Sequence, residues 1–359
     1  MRFISIDHAQ EGMIVGRPLR GRQGEILLTA GTPLRRTYID TIRRLRYSGL
    51  YIHDEFSAGI EVEDIISDDL RHNAALAVCR IESDIASGQT KSFCNQVETF
   101  AGFIDDILES VLSNKDTIVN LVDLKIFDQY TYQHSVNVCV LSSIIGVALG
   151  LDRAQLFNLA MTAVLHDLGK FFVDKDILNK PSRLSFEEFA IVKKHPEMGC
   201  DYLRRNCNYS SPIYIGLLQH HERFDGTGYP HGRVGTDIHL FARIIAVADV
   251  YDAITSMRPY HEPVLPSEAH EYILGNAGQH FDPDVAHVFV RKIAPFPEGA
   301  HVLLSNGLRG IVYKNFAEFM MRPLIKLLPI DGHPPAVEFL DLKGDPSLFN
   351  ITITKMILG

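Results

Sequence analysis

Cysteine is scarce in this chain and follows no ligand or disulfide spacing. The five cysteines are an odd number, and no two of them form a CxxC pair. This usage indicates free thiols in a reducing compartment and argues against a disulfide framework. The lack of a thiolate ligand set also argues against a structural zinc site.

Long apolar segments are missing as well. The N-terminus, MRFISIDHAQEG, has polar and acidic residues where a signal peptide would carry its apolar stretch. The most apolar run, about 136–151, is interrupted by Ser142 and Ser143 and is short for a membrane span. It predicts a buried core helix, and we therefore expect a cytoplasmic protein without membrane insertion.

Positive charge is in deficit. Lysine and arginine total 35 against 44 acidic residues, which gives a formal net charge of −9. An acidic surface argues against non-specific binding of nucleic acid, so DNA is not an expected partner. An anionic small molecule would need local positive charge, which bound cations can supply.

The pattern of apolar residues divides the chain into four segments. Segments 1–58 and 298–359 have the turns and short apolar runs of small β-rich modules. Segment 59–115 has apolar residues three and four apart, which indicates two amphipathic helices, and segment 116–297 is mostly helical without βαβ alternation. The predicted fold is mainly α, a helical bundle with a β-rich module at each terminus. Within the modules we expect strands at 26–28, 50–52, 301–304, 310–313 and 351–353, a helix at 37–45 and a hairpin turn at Asn306-Gly307.

The helical segment 59–115 has two interpretations. It is either a plain structural pair of helices or a stalk for signalling or dimerisation, through which a homodimer would form. Periodicity alone does not separate the two, and we favour the plain pair slightly.

Histidine is the residue present in excess, with 16 in 359 residues. A lone histidine on an apolar face is usually a satisfied core residue. Five histidines and two aspartates, each bordered by apolar runs within one helical region, indicate a metal site instead. These candidate ligands are His134, His166, Asp167, His195, His220, His221 and Asp249.

The chemistry of the candidates suggests different roles. A carboxylate can bridge two metal ions and an imidazole cannot, so Asp167 is the natural bridge. Asp249 lies in an apolar helix that would bury a lone carboxylate at considerable cost, and a metal ion would be its partner. Gly169 permits a turn at the helix end, and Lys170 is placed to contact an anionic ligand.

The mixed ligand set suits first-row transition metals and not calcium or magnesium. Two such ions about 4 Å apart would activate a water molecule and neutralise a phosphoryl group. The residues alone therefore point to phosphoester hydrolysis.

Two long motifs match a known family. HDLGK (166–170) resembles the motif of HD phosphohydrolases, and HHERFDGTGYP (220–230) resembles the extended HD-GYP signature nearly residue for residue. The resemblance to HD-GYP domains covers about 130–290. The flanking segments agree: TYQHSVNV (131–138), ILNKPSRLSFEEF (177–189), KKHPEMG (193–199), ARIIAVADVYDAITSMRPY (242–260) and HFDP (280–283).

The resemblance implies a helical domain that hydrolyses cyclic di-GMP, a bacterial second messenger, to pGpG and in many members on to GMP. It makes the seven candidates metal ligands, with Asp167 and Lys170 as catalytic residues, and it places Lys170 and Arg258 on substrate phosphate. Asp252, on the helical face of Asp249, would be the partner of a ligand histidine. The loop that borders the pocket adds the candidate substrate contacts Asp225, Gly226, Gly228, Tyr229 and Pro230.

Some members of the family have a glutamate one turn before the first histidine, and it supplies a third ion. Here Tyr130 holds that position, so two ions are expected, with iron or manganese favoured, and a third through Asp128 stays open.

Three rival functions remain: hydrolysis of another cyclic dinucleotide such as cyclic GMP-AMP, a catalytically silent cyclic di-GMP receptor, and a nucleotidase. The complete ligand set argues against a receptor and the intact GYP loop against a nucleotidase. Protein partners in second-messenger signalling are a further expectation.

Overall fold

A computed structural model of the protein describes residues 1–21, 25–45, 47, 49–62, 64–115, 118–119, 130–180, 182–256, 264–329, 333 and 335–357. The side chains at 90, 91 and 130–132 also lie outside the description. Two residues predicted to belong to the site, Asp128 and Arg258, are therefore outside the described residues, as is the side chain of Tyr130.

The described chain is mainly α-helical with small sheets near both termini, so the predicted fold class is confirmed. The helices are α1 Arg36–Arg44, α2 Asp68–Ala86, α3 Thr90–Ser113, α4 Tyr130–Ala148, α5 Arg153–Leu165, α6 Lys175–Leu178, α7 Phe186–Val192, α8 His195–Asn206, α9 Ser211–Gln219, α10 Leu240–Thr255, α11 Pro266–Gly275 and α12 Pro283–Lys292. The strands are β1 Arg2–Ser5, β2 Ile14–Val15, β3 Leu19–Arg20, β4 Ile26–Leu28, β5 Gly49–His53, β6 His301–Leu304, β7 Arg309–Lys314, β8 Leu324–Leu327, β9 Phe339–Asp341 and β10 Ile353–Ile357.

Helix α4 lies at the centre of the helical body. It is apolar on all sides, and α2, α3, α5, α10 and α12 pack around it. Of its two buried serines, Ser143 donates its hydroxyl to the carbonyl of Cys139 at 2.7 Å, whereas Ser142 Oγ has no hydrogen-bond partner among the described residues. The prediction of a buried core helix is confirmed. Among the described helices, none combines the length and apolarity that a membrane span requires.

Helices α2 and α3 share this core. Ile81 of α2 and Phe100 of α3 are buried in the same apolar cluster as the residues of α4 and α5. Ser67 caps α2 by accepting a hydrogen bond from the Leu70 amide at 3.2 Å. This packing supports the plain structural interpretation of the pair. The division of the chain at 58, 115 and 297 stays a prediction, as does dimerisation.

The described residues of the terminal modules form three antiparallel sheets. The N-terminal module has one sheet with the strand order β1-β5-β2 and a two-stranded sheet β3-β4, and the C-terminal module has one with the order β10-β6-β7-β8-β9. Gly307, with φ of +84°, forms the predicted hairpin turn between β6 and β7. The strand predicted at 351–353 is wrong in position, because the chain first completes a turn in which the Ile351 amide donates to Leu348 O at 2.8 Å. Pairing with β6 begins only at Ile353, opposite Leu304.

The two terminal modules pack on each other. Tyr51 from the first module and Ile60, two residues beyond its predicted end, form a small buried cluster with Ile311 from the second. The Phe3 amide donates to Gly299 O at 3.3 Å, and Arg2 contacts the buried His301 ring at 2.5 Å. Because these contacts join segments almost 300 residues apart, no local sequence pattern indicates them.

Candidate metal centre

Five helices bring the seven candidate ligands to one place. His134 lies in the first turns of α4 and Asp249 in the second half of α10. The other five stand at helix ends: His166 and Asp167 follow α5, His195 begins α8, and His220 and His221 follow α9. Helix ends can place side chains from several directions around one point, which a single helical face cannot do.

The ligand atoms form two groups that share one residue. Within each group all ligand atoms lie within 4.8 Å of one another: His134, His166 and Asp167 in the first, and Asp167, His195, His220 and His221 in the second. Asp249 borders the first group, with its Oδ1 atom 3.2 Å from His134 Nε2. Asp167 is thus common to both groups, which is the position that a bridging carboxylate requires.

The two oxygens of Asp167 face different histidines. Oδ2 lies 3.4 Å from His166 Nε2 and 3.8 Å from His134 Nε2, whereas Oδ1 lies 3.5 Å from His195 Nε2. Lys170 Nζ donates to Oδ2 at 2.6 Å. One oxygen therefore faces each half of the cluster, and Lys170 brings a positive charge to its edge.

Three of the histidines are oriented in the same way. Each Nδ1 lies against the carbonyl oxygen three residues earlier: His166 with Ala163 at 2.7 Å, His195 with Val192 at 2.8 Å, and His220 with Leu217 at 2.6 Å. A carbonyl only accepts, so Nδ1 carries the proton and donates it. Nε2 is then left with its lone pair, the arrangement in which histidine binds a metal ion.

His134 is held by a carboxylate instead of a carbonyl. Its Nδ1 lies 2.7 Å from Asp252 Oδ2, and the amide of Asn137 donates to Asp252 Oδ1 at 2.9 Å. Burial lowers the pKa of His134, but the hydrogen bonds to Asp249 and Asp252 outweigh it and raise the pKa to about 9. Asp252 thus lies where the sequence placed it. Asn137 was not singled out, although it lies three residues after His134 on the same face of α4.

The protonation states of His195, His221 and Asp167 suit metal binding. His134, whose pKa is raised to about 9, would have to release a proton from Nε2 to bind an ion. Burial lowers the pKa of His195 to about 4 and of His221 to about 3, so both imidazoles are neutral at pH 7. Burial raises the pKa of Asp167, but the neighbouring His166 and Lys170 outweigh it and hold the pKa well below its usual value. Neutral imidazoles beside a carboxylate are the forms that ligate a cation.

Four buried atoms show that the residues fit a cation. Among the described residues, His166 Nε2 and Asp167 Oδ1 have no hydrogen-bond partner, an arrangement that costs about 1–3 kcal/mol for each atom. His195 Nε2 and His220 Nε2 lie 3.2 Å apart, and neither has a proton to donate because each Nδ1 is protonated. A divalent ion would satisfy all of these lone pairs, and nitrogen with carboxylate donors suits a transition metal.

The predicted substrate loop borders the cluster. The ring of Tyr229 stacks on His221 with ring centres 4.8 Å apart, and its amide donates to His221 O at 3.1 Å. Burial, with the nearby charges of Asp167 and Asp249, raises the pKa of Tyr229, so its hydroxyl stays protonated. The Tyr229–Pro230 peptide is cis.

The shape of this loop depends on its glycines and on a buried glutamate. Gly226 has φ of +84°, and a Cβ on Gly228 would lie 2.2 Å from Arg223 N. Asp225 Oδ1 accepts from the amide and hydroxyl of Thr227 within the loop.

The buried Glu222 side chain holds the end of this loop through hydrogen bonds to its backbone. The residue is 2% exposed and accepts from the amides of His231 and Arg233 at 2.8 and 3.0 Å. The motifs did not indicate this role of Glu222. Its one signal in the sequence is a charged residue directly after the histidine doublet.

Gly169 lies in a short 3-10 turn that follows α5, and it also has a packing role that the sequence did not indicate. A Cβ at this position would lie 1.8 Å from the carbonyl oxygen of His195 and 2.8 Å from Gly199 N, so the glycine allows the chain to touch the start of α8.

We expect Gly169→Ala to reduce the free energy of unfolding by about 2–4 kcal/mol, because the backbone must move to make room for the Cβ. Urea unfolding measures this. Gly102→Ala, in helix α3 with no atom within 4 Å of its new Cβ, is the control and should be neutral or stabilising. A Gly169→Ala protein as stable as wild type would contradict this packing.

Comparison with known proteins identifies the helical region. The HD domain family model matches residues 116–285, which contain all seven candidate ligands. This region, just under half of the chain, is similar to HD domains. The resemblance to HD-GYP domains seen in the motifs is thereby confirmed.

The relatives of this chain include enzymes that are named for activity on cyclic dinucleotides. It is 37% identical over 269 residues to a cyclic di-GMP phosphodiesterase of Pseudomonas aeruginosa, covering 73% of this chain and 64% of the relative. It is 39% identical over 153 residues to the cyclic di-GMP phosphodiesterase response regulator RpfG of Xanthomonas campestris pv. campestris, covering 42% and 40%. It is 34% identical over 190 residues to the 3'3'-cGAMP-specific phosphodiesterase 1 of Vibrio cholerae, covering 52% and 42%. The chain spans less than two thirds of each of these relatives.

Proposed function

We propose that the protein is a metal-dependent phosphodiesterase that hydrolyses cyclic di-GMP to pGpG or GMP. The observation that carries the proposal is the position of Asp167, whose two oxygens face the two halves of a buried histidine cluster. Two of the relatives are named cyclic di-GMP phosphodiesterases, which supports the choice of substrate.

In this proposal the cluster holds two divalent ions, iron or manganese. The proposed ligands are His134, His166, Asp167, His195, His220, His221 and Asp249. When bound, such a pair lowers the pKa of a water molecule and neutralises phosphoryl charge. Asp252 and the backbone carbonyls orient the histidine rings, and burial keeps bulk water away. A third ion through Asp128 is not part of the proposal, because Tyr130 replaces the glutamate that would supply it.

The remaining residues are assigned to the substrate. Lys170, with a side chain 33% exposed at the edge of the cluster, is placed to stabilise negative charge on the phosphate. Tyr229 and its loop form one wall of the pocket. Arg258 is assigned to phosphate from the family resemblance alone.

One alternative has a specific observation behind it. The similarity to a 3'3'-cGAMP-specific phosphodiesterase makes cyclic GMP-AMP the competing substrate. Both molecules have the same two phosphodiester bonds, so the metal centre does not distinguish between them, and the contacts with the bases must.

The test is a side-by-side assay. Protein loaded with manganese or ferrous iron without oxygen is incubated with equal concentrations of cyclic di-GMP and 3'3'-cGAMP, and the products are separated by chromatography. The proposal predicts that cyclic di-GMP is consumed at least ten times faster. Faster loss of 3'3'-cGAMP would show that cyclic GMP-AMP is the preferred substrate. Binding of either dinucleotide without any product would indicate a receptor.

A further inference from the structure

A short helix beside the metal centre exposes apolar side chains. No residue of α7 is buried, and Phe189 is 46% exposed. Single exposed apolar residues are common, but contiguous exposed apolar patches bordered by polar residues mark binding sites, and Ile191, 42% exposed, adds to this one.

A line of rings connects this helix to the cluster. The ring of Phe189 meets that of Tyr229 edge to face with centres 6.5 Å apart, and Tyr229 stacks on the candidate ligand His221. Lys193 Nζ lies 5.2 Å from the centre of the Phe189 ring and adds positive charge there. The apolar ring is therefore connected to the proposed metal site through Tyr229 and has one positive charge beside it.

We propose that Phe189, together with Tyr229, forms a stacking subsite for a purine base of the cyclic dinucleotide. The inference rests on the proposed function. A phosphodiester held at the metal centre leaves its bases outside the cluster, where an exposed aromatic ring offers them a flat partner. Every base has a π-face, so this subsite holds guanine and adenine alike and contributes affinity without choosing between them.

Variants at Phe189 separate stacking from simple apolar contact. We expect Phe189→Ala and Phe189→Leu to raise KM for cyclic di-GMP by about tenfold with kcat little changed, because stacking is lost but the metal centre is intact. Phe189→Tyr should keep the wild-type KM. The control is Phe186→Ala, on the same helix, whose ring is 93% exposed.

Measurements of cyclic di-GMP binding test the stacking subsite separately from the proposed hydrolysis. The dissociation constant of cyclic di-GMP is measured for the same variants by calorimetry, and it should rise in parallel with KM. If wild type binds but does not hydrolyse the dinucleotide, the proposed function fails while the binding data still test the subsite. The subsite is overturned if Phe189→Ala binds like wild type, if Phe189→Leu restores binding, or if Phe186→Ala weakens it equally.

A second, independent observation concerns a residue outside the matched HD domain. Arg71 of α2 donates to the side-chain oxygen of Asn137, which in turn donates to Asp252, the carboxylate that holds His134. Asn137, Asp252 and His134 are each at most 4% exposed. Three helices, α2, α4 and α10, are thus joined by one chain of hydrogen bonds that ends on a candidate ligand.

The same helix is tied to the N-terminal module. Arg17 donates to Asp68 at 3.0 Å, and Arg20 pairs with Asp69, both in the first turn of α2. Farther along, Val78 and Ile81 of α2 line a pocket that also contains Asp167 and Lys170. Helix α2 therefore touches the module at one end and the site along its length.

We infer that Arg71 is a positioning residue, which fixes the ring of His134 through Asn137 and Asp252. Loss of such a partner of a ligand typically weakens metal binding by 10- to 100-fold. We expect this loss of manganese affinity in Arg71→Ala and in Asn137→Ala, and partial recovery in Arg71→Lys.

Metal affinity is measured by equilibrium dialysis against buffered manganese followed by elemental analysis, so activity is not needed. Arg80→Ala, an exposed arginine of the same helix, is the control and should bind like wild type. Thermal unfolding without metal checks that each variant is folded. Wild-type affinity in Arg71→Ala, or equal losses in Arg71→Ala and Arg80→Ala, would overturn the assignment.

Discussion

Asp167→Asn is expected to lose bound metal and to reduce kcat by roughly a thousandfold or more. The amide has nearly the shape of the carboxylate, but it has only one oxygen and no charge. It therefore cannot bridge the two groups of histidines that Asp167 now faces at 3.4 and 3.5 Å. Elemental analysis and product chromatography on the same sample measure both effects.

The matched control for this variant is Asp176→Asn, which makes the same chemical change at an exposed position of α6. It should keep the metal content and the activity of wild type. The bridging role is refuted if Asp167→Asn retains two ions for each chain and turns over at more than a tenth of the wild-type rate.

Lys170→Gln is expected to separate catalysis from metal binding. Its ammonium lies 2.6 Å from Asp167 Oδ2 but ligates nothing, since a protonated amine has no lone pair. We expect kcat/KM to fall by about a hundredfold, the usual effect of removing one group that stabilises transition-state charge, with metal content unchanged.

Lys175→Gln is the control, because this lysine is 77% exposed on the neighbouring α6. It should behave as wild type in both assays. If Lys170→Gln loses its metal along with its activity, Lys170 maintains the cluster and the assignment to the substrate is wrong. Unchanged kcat/KM would exclude any role in the reaction.

Local patterns were sufficient to predict much of the fold. The uniformly apolar run that became α4 indicated a buried helix because no face could remain in water. The spacing of Asp249 and Asp252 placed both on one face of α10, and the structure brings Asp252 to His134. In each case the deciding information lies within one or two helical turns.

Contacts between distant segments were not predictable in this way. The bond between Arg71 and Asn137 joins residues 66 positions apart, and it depends on how α2 crosses α4. The local pattern predicted a turn at Gly169. The requirement for glycine at this position comes from the close approach of α8, which no local pattern indicates. The misplaced last strand has a similar cause, since its start is set by pairing with β6.

Metal content and turnover, measured together on one sample purified without oxygen, decide whether a two-metal centre hydrolyses cyclic di-GMP. We expect two iron or manganese ions for each chain and conversion of cyclic di-GMP to pGpG or GMP. We also expect a chelator to remove both the ions and the activity, and manganese to restore them. The proposed function is wrong if the chain holds two ions and leaves cyclic di-GMP intact, or if it hydrolyses cyclic di-GMP equally well after the ions are removed.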